Sequence, residues 1–223
     1  MPRAILKDGV YEKLRERIIA GQIPPHGPLV EERISTEFNV SRTPVREAIR
    51  QLVHEGFAEY EPHCGARVAV PTRQLIQEVL QIREALEGIA AREAATKMET
   101  AQVVVLRQRF EELRGAVLAG DLSDVGDEIH RDLFQACGNT ELERLISVYW
   151  GKVEWFQRIA SELPDRRSRA FHEHDGILRG LEACDSAWAE DAARAHIRNT
   201  LRELLGSFEP TETAHGGNGR RRA

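Results

Sequence analysis

Three cysteines in 223 residues, at positions 64, 137 and 184, make neither a CxxC nor an even framework. Their scarcity argues against a disulfide-stapled scaffold and a cysteine zinc finger, and predicts a reducing compartment. No apolar run approaches the ~18 residues that cross a bilayer. The opening MPRAILKDGVYEKL lacks the apolar stretch of a signal peptide. A cytoplasmic chain without membrane contact is the expectation. A basic excess is missing too: the net charge is −5, and residues 1–70 hold ten Lys/Arg against ten Asp/Glu. Nucleic-acid binding, if present, must come from local placement of arginines and not from bulk charge.

What is there is ordinary globular material, 41% hydrophobic and 30% charged, enough to bury a core. Val10, Leu14 and Ile18 at four-residue steps predict a helix over 10–20, stopped at Gly21 and the breaker-rich GQIPPHGP. A short helix in LVEERISTEFNV follows. Ser41 is a candidate N-cap for RTPVREAIRQLVHEGF, with Pro44 in its first turn and Gly56 at its end. Strand signals at 57–61 and 66–70 flank a tip at 62–65. Beyond residue 72 only helical patterns remain, at 72–97, 100–119, 122–136, 140–161, 165–182 and 186–207.

Two short helices, a tight turn and a hairpin describe a winged helix-turn-helix over 1–70. Six helices over 73–207 read as an antiparallel all-α bundle. The polar, glycine-rich 208–223 reads as a disordered tail. In the second of the two N-terminal helices Arg42, Arg46 and Arg50 form one stripe, while Val45, Ile49, Leu52 and Val53 line the other side. A recognition helix turns such a start into the major groove, where Arg is the usual bidentate partner of guanine. A solvated basic face is the plainer reading of the stripe alone. Stripe, turn and wing in order favour DNA binding.

Helical phase sorts the bundle histidines. His174 lies three residues from both Phe171 and Ile177, on the apolar stripe. His172 is ~200° away and faces water. His196 follows Ala192 and Ala193, and His130 precedes Leu133, Phe134 and Cys137 on one face. A lone inward histidine is more often a hydrogen-bonded core residue than a ligand. Three on three helices can converge, and neutral imidazole suits Zn, Ni, Cu, Co or Fe, with Zn or Ni leading. Asp127 stands three before His130 and is a further candidate ligand. Enzyme signatures are thin: the bundle has one Asp-x-x-His, no Glu-x-x-His and no HExxH.

VSRTPVREAIRQLVHEGF followed by YEPHCGARV closely resembles the DNA-binding domain of the GntR family of bacterial transcription regulators. The resemblance implies that Arg42, Thr43 and Arg46 contact operator DNA and that Gly65 at the wing tip enters the minor groove; Arg50 on the same stripe and Arg33 are further candidates for the DNA face. Two positions depart from the family pattern, Glu32 where many relatives carry arginine and Cys64 where a basic residue precedes the wing glycine. For Cys64 an incidental small residue is favoured over a redox-sensing thiol, since no resolving cysteine is near in sequence.

IREALEGIAAREAA, IHRDLFQACGN and EHDGILRGLEACDSAWAEDAARAHI resemble, in order, the FCD effector-binding domain of FadR-type members. That resemblance implies a metal on His130, His174 and His196, joined by an aspartate four residues before the first histidine. Here that position is Gly126, and Asp127 is offset by ~100° around the helix. Asp127, water, Asn139 or an effector oxygen could complete the coordination. Arg83, in Arg-x-x-x-Glu with Glu87, is the candidate for an effector carboxylate, and a surface ion pair with Glu87 is its alternative. The expectation is a homodimeric, effector-controlled regulator of a palindromic double-stranded operator. A metalloenzyme bundle and an effector-independent architectural DNA-binding dimer are the alternatives.

Overall fold

The structure, a computed structural model, describes residues 3–118 and 127–208, with side chains over 9–116 and 129–208. It is mainly α, with nine helices and one two-stranded sheet among the described residues. Helix α1 spans Arg3–Ile19, seven residues earlier at its start than the apolar steps alone predict. Val10, Tyr11, Leu14 and Ile18 are its buried face.

Helices α2 (Glu31–Glu37) and α3 (Arg42–Glu55) form the helix-turn-helix. Ser41 occupies the N-cap of α3 in an extended conformation, but its side chain makes no capping hydrogen bond. Gly56 closes α3 at φ 82°, a left-handed C-cap that glycine adopts without a Cβ penalty. Strands β1 (Ala58–Glu61) and β2 (Gly65–Val68) pair antiparallel, Ala58 opposite Val68 and Glu61 opposite Gly65. Val45, Ala48, Ile49 and Leu52 of α3 bury against α1, so the opposite face, with Arg42, Arg46 and Arg50, is exposed.

The helical domain comprises α4 (Arg73–Lys97), α5 (Thr100–Leu118), α6 (Asp127–Ala136), α7 (Thr140–Ala160), α8 (Arg166–Glu182) and α9 (Ser186–Ser207). The most extensive packing is α4 against α9, followed by α8 against α9. A Cβ on Gly180 would stand 2.7 Å from the backbone nitrogen of Ala189, so glycine is what lets α8 and α9 approach so closely. Two apolar cores result. One joins α1, α3 and the wing to α4, α7 and α9, and includes Phe57, Trp155, Phe156 and Ile197. The other lies deeper in the bundle around Phe110, Leu133, Phe134, Ile177 and Leu181. Residues 209–223, most of the tail read as disordered, lie outside the described residues.

Candidate metal centre and recognition face

Three helices deliver one histidine each to the middle of the bundle: α6 His130, α8 His174 and α9 His196. All three are buried. His174 Nε2 lies 3.2 Å from His130 Nε2 and 3.3 Å from His196 Nε2. A tetrahedral ion with ligands at about 2.0–2.1 Å separates neighbouring ligand atoms by about 3.3–3.4 Å, so the spacing fits such a donor set. These three form a group that could hold a metal ion.

The far side of two rings is fixed by carboxylates. His130 Nδ1 faces Glu87 Oε1 of α4, and His196 Nδ1 stands 2.8 Å from Glu173 Oε2 of α8. A proton held at Nδ1 leaves the Nε2 lone pair free for a metal, the arrangement in which carboxylates orient ligating imidazoles. Burial pushes all three histidines well below their ordinary pKa, and each also feels positive charge from Arg166. They are therefore neutral at physiological pH, the form that ligates.

Two buried arginines flank the rings. Arg83 donates from Nε to Glu87 Oε2 at 2.9 Å, while its Nη1 and Nη2 are buried without a hydrogen-bond partner. The Arg83–Glu87 pair is thus present, but as a buried pair rather than a surface one. Arg166 donates from Nη1 to Glu173 Oε2 at 2.9 Å and from Nη2 to the Thr200 hydroxyl. A cavity of about 60 Å³ opens beside His174 and His196, lined also by Gln157, Arg166, Arg167 and Thr200. At ~10–15 Å³ per enclosed water it holds the equivalent of a few solvent molecules. Gln157 Oε1 and Arg167 Nη1 are buried there without partners.

Other sequence candidates fall elsewhere. Asn139 is exposed and caps α7, accepting from the Leu142 amide at 3.2 Å, so it is not among the residues brought to the histidines. His172 is exposed with Nδ1 on the Ser168 carbonyl. Asp127 is the first residue of α6, and its side chain, like all of Gly126, lies outside the described residues. Glu173, Arg166 and Thr200 escaped the sequence reading. The one available signal was Glu173 directly before His174, which helical phase alone assigns to a different face.

On the winged domain Arg33, Arg42, Thr43, Arg46, Arg50 and Gly65 are all exposed. Gly65 has φ 83° at the wing tip. Arg46 is gripped from the side by Glu31, and Arg42 meets Glu32.

Residues 6–68 match the model of the bacterial regulatory proteins of the gntR family, and residues 78–199 match the FCD domain. The chain is 31% identical over 201 residues to a Paenarthrobacter nicotinovorans protein named "Probable D-xylose utilization operon transcriptional repressor", covering 88% of each. It is 33% identical over 200 residues to the HTH-type transcriptional repressor RspR of Escherichia coli, again covering 88% of each. A GntR transcriptional regulator from Rhodococcus sp. RHA1 shares the fold at TM-score 0.76 and 22% identity, with 91% of this chain and 99% of that one aligned. E. coli McbR/YncC shares it at TM-score 0.73 and 19% identity, over 92% and 99%. No described helix is long and apolar enough to cross a membrane. The chain belongs to the GntR family of bacterial regulatory proteins, and with its FCD domain it is a DNA-binding transcription regulator.

Proposed function

We propose that this regulator binds a palindromic operator as a homodimer, and that a small organic acid at a divalent transition metal on His130, His174 and His196 controls that binding. Arg42, Thr43, Arg46, Arg50 and Arg33 meet the major groove and its phosphates, and Gly65 lets the wing approach the minor groove. Zn or Ni is the metal we favour.

The observation that carries the metal is the convergence of three neutral Nε2 atoms, His174 at 3.2 and 3.3 Å from the other two, with His196 Nδ1 bonded to Glu173 and His130 Nδ1 facing Glu87. Without a cation, one hydrogen on His174 Nε2 would have to serve both neighbouring Nε2 lone pairs, and burial opposes protonating the rings further. A bound divalent ion supplies a Lewis-acid contact for one effector oxygen.

Charge supports an anionic effector. The charged groups bonded to one another around the rings, buried Arg83, Arg166 and Glu87 with half-buried Glu173, are formally neutral together. A divalent ion leaves two positive charges without compensation, and uncompensated charge in a dry site is costly. A small dicarboxylate cancels both. The free Nη1 and Nη2 of Arg83 form a fork that matches a carboxylate.

Helix α7 gives the acid a route to the DNA-binding domain. Its Gln157, Ala160 and Ser161 line the cavity. Two residues before Gln157, Trp155 lies tilted against Phe57 at 5.3 Å, and one turn before that Gly151 abuts Arg15 and Phe57. An acid that fills the cavity and takes up Gln157 or Arg167 therefore biases how α7 seats α1 and the wing base.

Thermal shift of metal-loaded protein against mono-, di- and tricarboxylates and sugar acids tests this reading. A melting temperature raised by one acid only with metal present, and altered operator binding by that acid, is expected. No shift with any acid would sink the effector.

A further inference from the structure

The two acidic residues that open α2, Glu31 and Glu32, point at the face that the family membership assigns to DNA. Negative charge in a helix's first turn favours the helix dipole, which accounts for acids at this position. It does not account for their reach across the turn to α3. Glu31 Oε1 accepts from Arg46 Nε at 2.9 Å and Glu31 Oε2 from Arg46 Nη2 at 2.8 Å, a two-point grip on one edge of the guanidinium. Glu32 makes a single contact, Oε1 accepting from Arg42 Nη2 at 2.5 Å. The two pairs also differ in exposure: the Glu31 side chain is 33% exposed and that of Glu32 is 72%.

Guanidinium geometry turns this difference into two roles. An arginine bound side-on through Nε and Nη2 keeps its other edge, Nη1 with the second Nη2 hydrogen, free as a parallel fork. That fork is the one that matches guanine O6 and N7, or a phosphate. A side-on grip therefore fixes the aim of Arg46 while leaving its reading edge available. A single, exposed contact fixes nothing of the kind. It places a carboxylate where Arg42 would otherwise meet DNA, and a phosphate must displace it.

We infer that the two glutamates divide operator selection between them. Glu31 is a positioning residue that holds Arg46 end-on toward the groove and remains in place in the complex. Glu32 masks Arg42 in the free protein and is displaced on binding, so it lowers affinity for every duplex alike. Arg46, aided by the charges of Arg42 and Arg50, holds the Glu31 carboxyl below the usual range, so the grip persists through the working pH range. The inference rests on the DNA-binding assignment and is independent of the metal and the effector.

The two variants Glu31→Gln and Glu32→Gln test it, because each removes one negative charge from the same face. The full-length protein is titrated by fluorescence anisotropy against two duplexes. One is enriched from a randomised pool by the wild-type protein, and the other is its scrambled counterpart. Glu32→Gln is expected to bind both duplexes several-fold more tightly, with the selected-to-scrambled ratio kept and the salt slope steeper by about one. Glu31→Gln is expected to lose about tenfold in that ratio. Simple charge removal predicts the same response from both variants, a uniform gain. If Glu31→Gln keeps the wild-type ratio, or if Glu32→Gln binds more weakly, the division of roles is wrong.

Discussion

His196 donates from Nδ1 to Glu173 Oε2 at 2.8 Å, and Asn199 Nδ2 holds the other oxygen of the same carboxylate at 2.9 Å. Glu173 also accepts from Arg166 Nη1 at 2.9 Å, so two other partners fix the carboxylate that in turn fixes the imidazole. Orientation of this kind is worth roughly 10–100-fold in metal affinity. Glu173→Gln should therefore weaken metal binding by about that factor, read by competition with a chromogenic chelator. An affinity equal to wild type would mean that Glu173 is a structural partner of Arg166 alone.

The metal-free protein should lose stability toward acid. Burial is the largest cause that lowers each of His130, His174 and His196, and neighbouring positive charge acts in the same direction. In the unfolded chain these groups titrate near ~6.5. Below that pH the unfolded chain binds more protons than the native one, so the histidine contribution is complete above ~6.5 and shrinks as pH falls. Urea midpoints of chelator-treated protein at descending pH should drop progressively. A flat profile below neutrality would contradict the buried, neutral assignment.

Trp155 is 5% exposed and lies where α7 meets the wing base at Phe57. Trp155→Ala should destabilise the protein by about 3–5 kcal/mol, the usual cost of such a truncation in a core. In denaturant titrations the loss should appear as a lower midpoint. If α7 carries the effector's influence, the surviving folded variant should bind operator with little response to the acid that shifts the wild type. A full response would place the coupling on another helix.

Arg46→Ala should remove selective operator binding while leaving the melting temperature close to wild type, since the side chain is exposed and the apolar face of α3 is untouched. Anisotropy against selected and scrambled duplexes reads the effect. Retained discrimination at moderate salt would overturn the recognition-helix reading.

Much of this architecture is legible in the chain because its signals are local. The helix periods, Gly56 at the end of α3 and the wing turn are each written within a few residues, and the structure follows them to within one or two positions over most elements. The start of α1 departs, since apolar steps begin only at Val10 although the helix begins at Arg3, and the first part of the helix expected over 122–136 falls at 122–126, outside the described residues. The phase argument separating His172 from His174 agrees with their burial, because a rotation of ~200° on one helix is a local property.

Legibility ends where partners come from different helices. Glu87 reads as the i+4 mate of a surface arginine, yet it is fully buried and faces His130 across the bundle. Arg166 opens the stretch RRSR, whose spacing gives no reason to bury it, yet it is 3% exposed and reaches Thr200 on α9. Asn139 shows the converse. A polar residue near the histidines in sequence, it is used by the fold as a helix cap. Nothing in residue spacing distinguishes these outcomes, because each depends on how α4, α8 and α9 are packed.

Metal stoichiometry tests the central claim most directly. Protein stripped with chelator, reloaded with Zn or Ni and desalted is analysed for metal per chain, for wild type and for single alanine variants of His130, His174, His196 and His172. Our account predicts one ion per chain for wild type and His172→Ala, and loss of it in the other three. Metal-free wild type, or equal retention by His174→Ala and His172→Ala, would contradict it.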